Sequence, residues 1–276
     1  MSQPLPSLAE TVQQFGLRTK KSLGQHFLLD EPLCESIVQL AGDLSALHII
    51  EIGPGPGGLT RALLSSGAKN VTAIEKDARA LPALQMLQSH ADGRLQLMQE
   101  DALQLNMASL AGAPRAIIAN LPYNIGTELV VRWLHDIYNA PECYDQLLLM
   151  LQLEVGERLA AKPANKAYGR LSVLAQWLCD VELRMLVPKE AFSPPPKVES
   201  VMVQLRPLPK PRFDVPMVKL EKVLAIAFQQ RRKMLRSALK PLGITDQLAA
   251  LGIDETLRPD QLSLEQFTQL ARIIDG

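Results

Sequence analysis

The chain has 276 residues, and its 29 Lys and Arg residues balance 29 Asp and Glu residues, so its formal net charge is zero. This length allows one large core and a small second domain, because domains commonly have about 100 to 200 residues. Zero net charge excludes a uniformly basic nucleic-acid binder but is compatible with a local basic surface.

Cysteine usage and apolar runs indicate a cytoplasmic protein. Cys34, Cys143 and Cys179 are odd in number and lack C-x-x-C spacing, so they predict neither a disulfide framework nor a zinc site, and we expect reduced thiols and no metal. The N-terminal residues lack the apolar stretch of a secretory signal. The run over 147–153 is much shorter than the ~20 residues that span a bilayer.

A short basic arm precedes the sequence GQHFL. It consists of Arg18, Lys20 and Lys21. Such an arm either contacts phosphates or forms a solvated tail, and the residues alone favour neither alternative.

From about residue 47, short apolar runs alternate with longer amphipathic stretches, as in βαβ units. The runs are nearly continuous, as expected where helices cover both faces of a parallel sheet. The pattern predicts an α/β fold with a helix over 57–66, strands at 48–52, 71–74, 95–98, 116–119 and 147–151, and two later strands at 181–187 and 198–205.

Glycine or polar residues follow four of these predicted strands, namely Gly53, Glu75, Asp101 and Asn120. A sheet of this kind places its ligands beyond the carboxyl ends of the strands. We therefore expect these four residues to border one site.

The C-terminal quarter has a different pattern. Proline density rises around 206–216 and the periodicity disappears, so we expect a first domain over 1–207, a linker over 208–216 and a helical domain over 217–276. If residues 224–242 form one continuous helix, its apolar side chains lie on one stripe and Arg231 lies near that stripe. Either the Arg231 side chain extends past the stripe to solvent, or the helix is irregular. A basic row lies beside the stripe: Arg232, Arg236 and Lys240, with Lys233 further round.

The stretch EIGPGPGG begins at Glu51 and fits two templates. Gly53, Gly55 and Gly58 match the G-x-G-x-x-G loop of dinucleotide sites, where backbone amides hold a pyrophosphate. Glu75 suits the ribose of either ligand. Glu51 favours an S-adenosylmethionine loop instead, because a carboxylate there is useful near a cationic sulfonium. A glycine turn without a ligand is the third alternative.

The stretch NLPY, from Asn120 to Tyr123, suggests chemistry on an adenine. The exocyclic amine of adenine is a poor nucleophile, and two acceptors aimed at its hydrogens favour attack on a methyl group. The Asn120 side chain and the Leu121 carbonyl are the candidate acceptors. Pro122 stiffens the turn and Tyr123 stacks on a flipped base. The alternative is a strand-ending turn with a packed tyrosine.

Six segments together resemble the small-subunit ribosomal RNA adenine N6,N6-dimethyltransferases: 24–28, 51–58, 120–125, 166–172, 192–198 and 228–236. The resemblance covers nearly the whole chain and implies a Rossmann-like S-adenosylmethionine-dependent methyltransferase sheet with helices on both faces, plus a small C-terminal helical domain. It implies dimethylation of two adjacent adenines in a hairpin near the 3′ end of 16S rRNA, with S-adenosylhomocysteine as product. The implied partners are the small ribosomal subunit and its rRNA, with a role in late subunit assembly and without a membrane.

The resemblance also implies roles for single residues. The cofactor residues are His26, Leu28, Gly53, Glu75, Asp101 and Asn120; the catalytic residues are Asn120 and Leu121, with Tyr123 and Phe192 holding the base. His26 departs from the Asn usual at its position, although imidazole still donates one hydrogen bond and makes a pH-dependent affinity plausible. Beside such a domain, phosphate binding is the better interpretation of the basic arm and the basic row.

Two rival functions remain open. A relative that methylates a single adenine of large-subunit rRNA usually has isoleucine at the position of Leu121, so NLPYNI favours the small-subunit class. A nucleic-acid-binding factor that keeps the fold without catalysis is disfavoured by the presence of Asn120, Glu75 and Asp101.

Overall fold

The computed structural model describes residues 5–20, 24–110 and 112–274. Contacts divide the chain into two units: Met1–Gly156 with Glu182–Pro207, and Glu157–Val181 with Leu208–Gly276. This division differs from the boundaries expected from the sequence, because residues 157–181 group with the C-terminal unit. Which segments fold independently stays a prediction.

The described residues contain nine strands: β1 (Phe27–Leu28), β2 (His48–Ile52), β3 (Asn70–Ile74), β4 (Leu95–Met98), β5 (Arg115–Asn120), β6 (Gln146–Gln152), β7 (Cys179–Val187), β8 (Phe192–Ser193) and β9 (Ser200–Pro207). Seven of them form a sheet in the order β4-β3-β2-β5-β6-β9-β7. The neighbours from β4 to β6 are parallel and β9 is antiparallel to β6. The predicted α/β fold is confirmed, and the seven predicted strands are all present.

The α-helices are α1 (Leu8–Gln14), α2 (Glu31–Gln39), α3 (Gly58–Ser65), α4 (Leu81–Gln88), α5 (Gly126–Asn139), α6 (Leu153–Ala160), α7 (Arg170–Leu178), α8 (Met217–Gln229), α9 (Leu235–Ala238) and α10 (Leu264–Ile273). Strand side chains such as Ile49, Ile118 and Leu148 are fully buried with helix residues such as Ile37 and Leu63 in one apolar cluster. Because the strands on either side of β2 are parallel to it, the carboxyl ends of β2, β3 and β5 meet at one edge.

The N-terminal elements are fastened to the first unit by side-chain contacts. Arg61 on α3 donates to the Pro6 carbonyl at 2.6 Å and to the Thr11 hydroxyl at 2.9 Å. Further along, β1 pairs antiparallel with β8, and Leu28 lies opposite Phe192. The segment GQHFL is therefore joined to the segment FSPPPK across about 165 residues of sequence.

Aromatic packing and backbone bonds hold the second unit together. The ring of Phe228 lies 6.4 Å from that of Tyr168 and 5.5 Å from that of Phe267, between ring centroids. The expected linker over 208–216 is bonded to α7, because the Arg212 amide donates to the Trp177 carbonyl at 3.0 Å. This segment is therefore part of the unit rather than a free connection.

The prediction of one helix that carries Arg232, Arg236 and Lys240 is wrong, and the alternative of an irregular helix near Arg231 is confirmed. Helix α8 ends at Gln229, residues 230–234 form a turn, and Lys240 lies in a separate 3₁₀ turn. The amides of Leu235 and Arg236 donate to the carbonyls of Leu257 and Glu255, at 2.7 and 3.1 Å, instead of to the preceding helical turn. The basic residues therefore do not form a row on one helix.

Neither a membrane span nor a metal cluster is present within the ranges that the structure describes. No helix there is long and apolar enough to cross a bilayer, and no three His, Cys, Asp or Glu side chains are grouped to hold a metal ion. Cys34, Cys143 and Cys179 are buried, and none of the three is in a disulfide. Burial raises the pKa of Cys34 and of Cys143 to about 12, so both are protonated and unreactive near neutral pH.

Candidate active site

One pocket of the first unit lies at the carboxyl ends of β2, β3 and β5. The residues predicted to bind the cofactor all line it: His26, Leu28, Gly53, Glu75, Asp101 and Asn120. Leu121 and Tyr123 line it as well. Further lining residues were not predicted from the sequence, although each lies within two positions of a predicted site residue: Gln25, Lys76, Glu100, Leu103 and Asn124.

The glycine loop and Glu75 hold each other in place. Gly53, Gly55 and Gly57 have φ angles of +66°, +55° and +92°, a region that residues with a side chain rarely adopt. The Gly55 amide donates to Glu75 Oε2 at 3.1 Å, and the Asp77 amide donates to Oε1 at 2.7 Å. Burial nevertheless raises the pKa of Glu75, which is only 5% exposed. The carboxylate is thus oriented at the edge where a ligand ribose is expected.

Glu51 is a second buried carboxyl group in the pocket wall. It is 1% exposed on β2 and accepts a hydrogen bond from the Thr60 hydroxyl at 2.7 Å. Burial raises the pKa of Glu51 to about 8, the Thr60 bond opposes that shift, and the charge of Glu75 adds to it. A wall with two such groups repels a pyrophosphate and attracts a cationic ligand.

Asp101 carries the third carboxylate of the pocket. It accepts a hydrogen bond from the Lys76 ammonium at 2.7 Å and one from the Leu103 amide at 3.0 Å. The Lys76 bond is the main cause that lowers the pKa of Asp101. Because Lys76 is exposed, the ion pair contributes only about 0–1 kcal/mol, and a ligand donor can compete for the carboxylate.

Asn120 and Leu121 of the NLPY turn both line the pocket. Asn120 ends β5 opposite Met150 and is partly exposed, whereas Leu121 is 1% exposed. Among the described residues, neither the Asn120 side-chain amide nor the Leu121 carbonyl makes a hydrogen bond. The turn is closed by the Ile125 amide, which donates to the Pro122 carbonyl at 3.2 Å. The Tyr123 hydroxyl lies 2.6 Å from the buried Ser200 hydroxyl, which fixes the ring.

The chain matches the family model for ribosomal RNA adenine dimethylases over residues 16–276. The chain belongs to the ribosomal RNA adenine dimethylase family. It is 52% identical to the ribosomal RNA small subunit methyltransferase A of Roseobacter denitrificans over 273 residues, which cover 98% of this chain and 97% of that protein. The corresponding protein of Dinoroseobacter shibae is 52% identical over 272 residues, which again cover 98% of this chain and 97% of that protein.

Solved structures agree with the family assignment. A dimethyladenosine transferase from Plasmodium falciparum superposes with a TM-score of 0.76 at 25% identity, covering 89% of this chain and 96% of that one. The 23S rRNA methyltransferase ErmE has the same fold, with a TM-score of 0.67 at 24% identity over 91% of this chain and 100% of that one. This dimethylase is therefore an S-adenosylmethionine-dependent rRNA adenine methyltransferase, and the dinucleotide and ligand-free interpretations of its glycine loop are excluded.

The acidic wall of the pocket fits the cofactor of this family. S-adenosylmethionine carries a sulfonium, an ammonium and a carboxylate, so its net charge is positive, and it supplies an electrophilic methyl group when bound. Among the described residues of the pocket, Lys76 is the one Lys or Arg, against carboxyl groups at Glu51, Glu75, Glu100 and Asp101. Gly53 and Gly55 pack closely against other parts of the pocket wall, because an added Cβ would lie 3.4 Å from Pro122 at Gly53 and 3.3 Å from Phe27 at Gly55.

In this dimethylase, His26 joins three of the motif segments. Its Nδ1 lies 2.8 Å from the Pro194 carbonyl, so Nδ1 carries the hydrogen, because a carbonyl only accepts. The imidazole centroid is 5.5 Å from that of Tyr123, whose hydroxyl contacts Ser200 at the start of β9. The residue that departs from the usual Asn therefore links GQHFL, NLPY and FSPPP.

Phe192 does not line the pocket. It is 3% exposed and lies in the apolar cluster that also contains Leu28. In this conformation no base can stack on its ring, so the sequence-based role for Phe192 requires a movement of β8. That role stays a prediction.

Side-chain bonds hold the N-terminal segment against this edge. Gln25 accepts from the Lys20 amide at 2.9 Å and donates to Asp77 at 3.1 Å. Arg79 donates to Asp77 and to the Arg18 carbonyl, the latter at 3.0 Å. The Arg79 side-chain bonds are the main cause that lowers the pKa of Asp77 to about 2. The segment is thus anchored through charges that persist over the whole physiological pH range.

The candidate RNA-binding residues have different surroundings. The side chains of Arg18 and Lys20 are exposed on the first unit, and Lys21 lies outside the described residues. In the second unit, the side chains at positions 232, 233 and 240 are exposed, whereas Arg236 pairs with Glu255 at 3.3 Å.

Arg231, which the helical wheel placed near the apolar stripe, has a structural role. Its guanidinium lies 3.4 Å from Asp260 and donates to the Lys166 carbonyl at 2.5 Å and to the Asn165 carbonyl at 3.5 Å. The irregular helix allows this inward contact.

Proposed function

We propose that this dimethylase methylates N6 of two adjacent adenines in the 3′-terminal hairpin of small-subunit (16S) rRNA, giving N6,N6-dimethyladenosines, and acts late in small-subunit assembly in the cytoplasm. The observation that carries the proposal is the open pair of acceptors at Asn120 and Leu121 beside the Tyr123 ring. The names of the relatives at 52% identity, small subunit methyltransferase A, support the choice of substrate.

At the base, the Asn120 side-chain oxygen and the Leu121 carbonyl accept the two hydrogens of the adenine amine. This directs the nitrogen lone pair toward the methyl group. Tyr123 stacks on the flipped base, and Phe192 holds it after β8 moves. No strong base is required, because the methylated amine becomes acidic enough to lose its proton to water. The pocket then accepts the monomethylated adenine for a second transfer.

At the cofactor, Glu75 accepts the ribose hydroxyls, Asp101 contacts the adenine ring, and Gly53 leaves room for the ligand. His26, Leu28 and Asn120 complete the set that lines the same pocket. Catalysis then depends mainly on positioning, since near-attack geometry between two bound reactants contributes on the order of 7 to 11 kcal/mol.

The rRNA is held outside the pocket by phosphate contacts. The proposed residues are Arg18, Lys20, Lys21, Arg232, Lys233, Arg236 and Lys240. Exposed lysines and arginines release condensed counterions from RNA, which favours association at low salt. The exposure of the described side chains at positions 18, 20, 232, 233 and 240 supports this assignment.

The test is incubation with a labelled methyl donor and unmethylated small subunits, followed by mapping of the modified nucleosides. We expect dimethyladenosine at two adjacent positions of the 3′-terminal hairpin. Monomethyladenosine on large-subunit RNA in a parallel reaction would support the single-adenine rival. Cofactor binding without incorporation into any rRNA particle would support the non-catalytic rival.

A further inference from the structure

Glu51 and Glu75 place two carboxyl groups in the wall of one pocket without a neutralising cation. The two residues belong to neighbouring strands. Glu51 lies on β2 opposite Ala73 of β3, and Glu75 comes directly after β3. Their exposures are 1% and 5%. Buried carboxyl groups repel each other, and desolvation favours the neutral form, so one of the two carries a proton unless a cation is brought in.

The groups that surround Glu51 identify it as the one that carries the proton. Helix α3 contributes the Thr60 hydroxyl, a single hydrogen bond to Oε2. Helix α2 contributes the Cys34 thiol, which is neutral. The end of β3 contributes Glu75, which is held toward its charged form by the amides of Gly55 and Asp77.

No positive side chain acts on Glu51 within the part of the chain that the structure describes. Among the described residues that line the pocket, Lys76 is the one lysine, and it is paired with Asp101. The described residues therefore leave Glu51 without a positive charge beside it, which a cationic ligand would supply.

We propose that Glu51 exchanges its proton for the positive charge of the bound methyl donor and so makes the pocket distinguish donor from product. The inference rests on the cofactor assignment made above. Glu51 would lose its proton to solvent when the sulfonium charge of S-adenosylmethionine is bound, which would leave a carboxylate in the wall of the occupied pocket. S-adenosylhomocysteine has no sulfonium charge, so Glu51 keeps its proton when the product is bound.

The proton exchange makes donor affinity depend on pH. Because burial raises the pKa of Glu51 to about 8 without ligand, most of the molecules hold this proton near neutral pH. Donor binding then costs the release of that proton, so its affinity rises by close to tenfold per pH unit below about pH 7 and levels off above about pH 8. Product affinity stays nearly constant, and the donor is favoured over the product increasingly as pH rises.

The test is calorimetric titration of the full chain at about pH 7 in two buffers of different ionisation enthalpy. The difference in apparent binding enthalpy gives the number of protons released. We expect more protons to be released for S-adenosylmethionine than for S-adenosylhomocysteine, with a difference of at most about one proton. The ribose contact of Glu75 is common to both ligands, and the Glu51→Gln variant below distinguishes a proton on Glu51 from one on Glu75. Equal proton release for the two ligands would overturn the proposal, whereas failure to bind either ligand would overturn the cofactor assignment itself.

Two variants assign the proton to Glu51. Glu51→Gln keeps the shape of the side chain and should remove the extra proton release, leaving only protons exchanged by the ligands themselves. Thr60→Val retains Glu51 but removes the hydrogen bond that opposes its pKa shift, so the pH at which donor affinity levels off should rise. Unchanged proton release in a folded Glu51→Gln protein, or an unchanged profile in Thr60→Val, would place the proton on another group.

Discussion

The pocket of the first unit and the segment 230–240 of the second unit present charge in opposite ways. In the pocket, Glu51 and Glu75 are almost fully buried, and hydrogen bonds hold each in one orientation. In the segment, Arg232 and Lys233 are exposed on a turn. The first region is acidic and buried, and the second is basic and exposed.

This difference indicates two kinds of recognition. Buried charges interact strongly with a small ligand and are little affected by salt, whereas exposed charges are screened beyond a Debye length of about 8 Å at physiological ionic strength. We therefore expect the pocket to depend on protonation and exact shape, and the segment to depend on ionic strength. Substitutions in each region should separate these dependences.

The largest expected effect is that of Asn120→Ala in the pocket. Removing one preorganised hydrogen-bonding group at a reacting centre costs about 10²- to 10³-fold in turnover. Affinity for S-adenosylhomocysteine should fall much less than turnover, because Asn120 is one of six residues proposed to hold the cofactor but one of only two proposed acceptors for the adenine amine. Single-turnover methylation of small subunits, together with calorimetric titration of the product, checks both statements.

Asn120→Asp is the matched control, because it keeps an acceptor oxygen at the same position. It should retain more activity than Asn120→Ala. A rate like that of the wild type in Asn120→Ala would remove Asn120 from the methyl-transfer centre.

Glu75→Ala should have the next largest effect, on cofactor affinity. Loss of charge-assisted bonds to the ribose costs roughly 1.5–3 kcal/mol, which is about 10- to 150-fold in Kd. The structure adds a second consequence, since the amides of Gly55 and Asp77 lose their acceptor.

Glu75→Gln retains an acceptor and should unfold at a higher temperature than Glu75→Ala, while still binding the cofactor weakly. Thermal unfolding compares the stability of the two variants, and calorimetric titration of the folded proteins measures their cofactor affinity. Undiminished affinity in Glu75→Ala would mean that the ribose is held elsewhere.

The strands and their terminal residues were predictable from the sequence because each lies within one short apolar run. Gly53, Glu75 and Asn120 come directly after such runs or end them, and parallel pairing brings them together. The contact of His26 with Pro194 was not predictable, since 168 residues separate them. The end of α8 at Gln229 likewise depends on distant backbone partners of Leu235 and on contacts of Arg231, which a helical wheel cannot include.

Replacing Arg232, Lys233 and Lys240 by Gln should have a smaller effect at fixed salt and a distinct signature in a salt series. The slope of log affinity for unmethylated small subunits against log salt should fall by about 0.7–0.9 for each phosphate that the variant no longer neutralises. Cofactor affinity should stay unchanged. Parallel salt lines for wild type and variant would show that these side chains are only solvated.

Arg231→Gln is the matched control for this triple variant, because Arg231 lies in the same turn as Arg232 and Lys233. It removes the bonds to Asp260 and to the Lys166 carbonyl, so it should lower the unfolding temperature and leave the salt slope unchanged. A reduced slope in this variant would mean that Arg231 also contacts phosphate.

The last expected effect is on the stability of Glu51→Gln without ligand, and it separates proton binding at Glu51 from cofactor binding. Burial raises the pKa of Glu51 from an ordinary value of 4.5 to about 8. A raised pKa means that the folded state binds more protons than the unfolded state between these values, so the wild type loses stability as pH rises through that window. Gln has no charge to bury and keeps its stability. The unfolding temperature of Glu51→Gln should therefore exceed that of the wild type at pH above about 8. The excess should shrink as pH falls toward about 4.5, because the wild-type carboxyl group is then protonated in both states.

Thermal unfolding without ligand across this pH range measures the difference. An excess that is independent of pH would mean that Gln improves packing and that Glu51 is not the group that holds the proton.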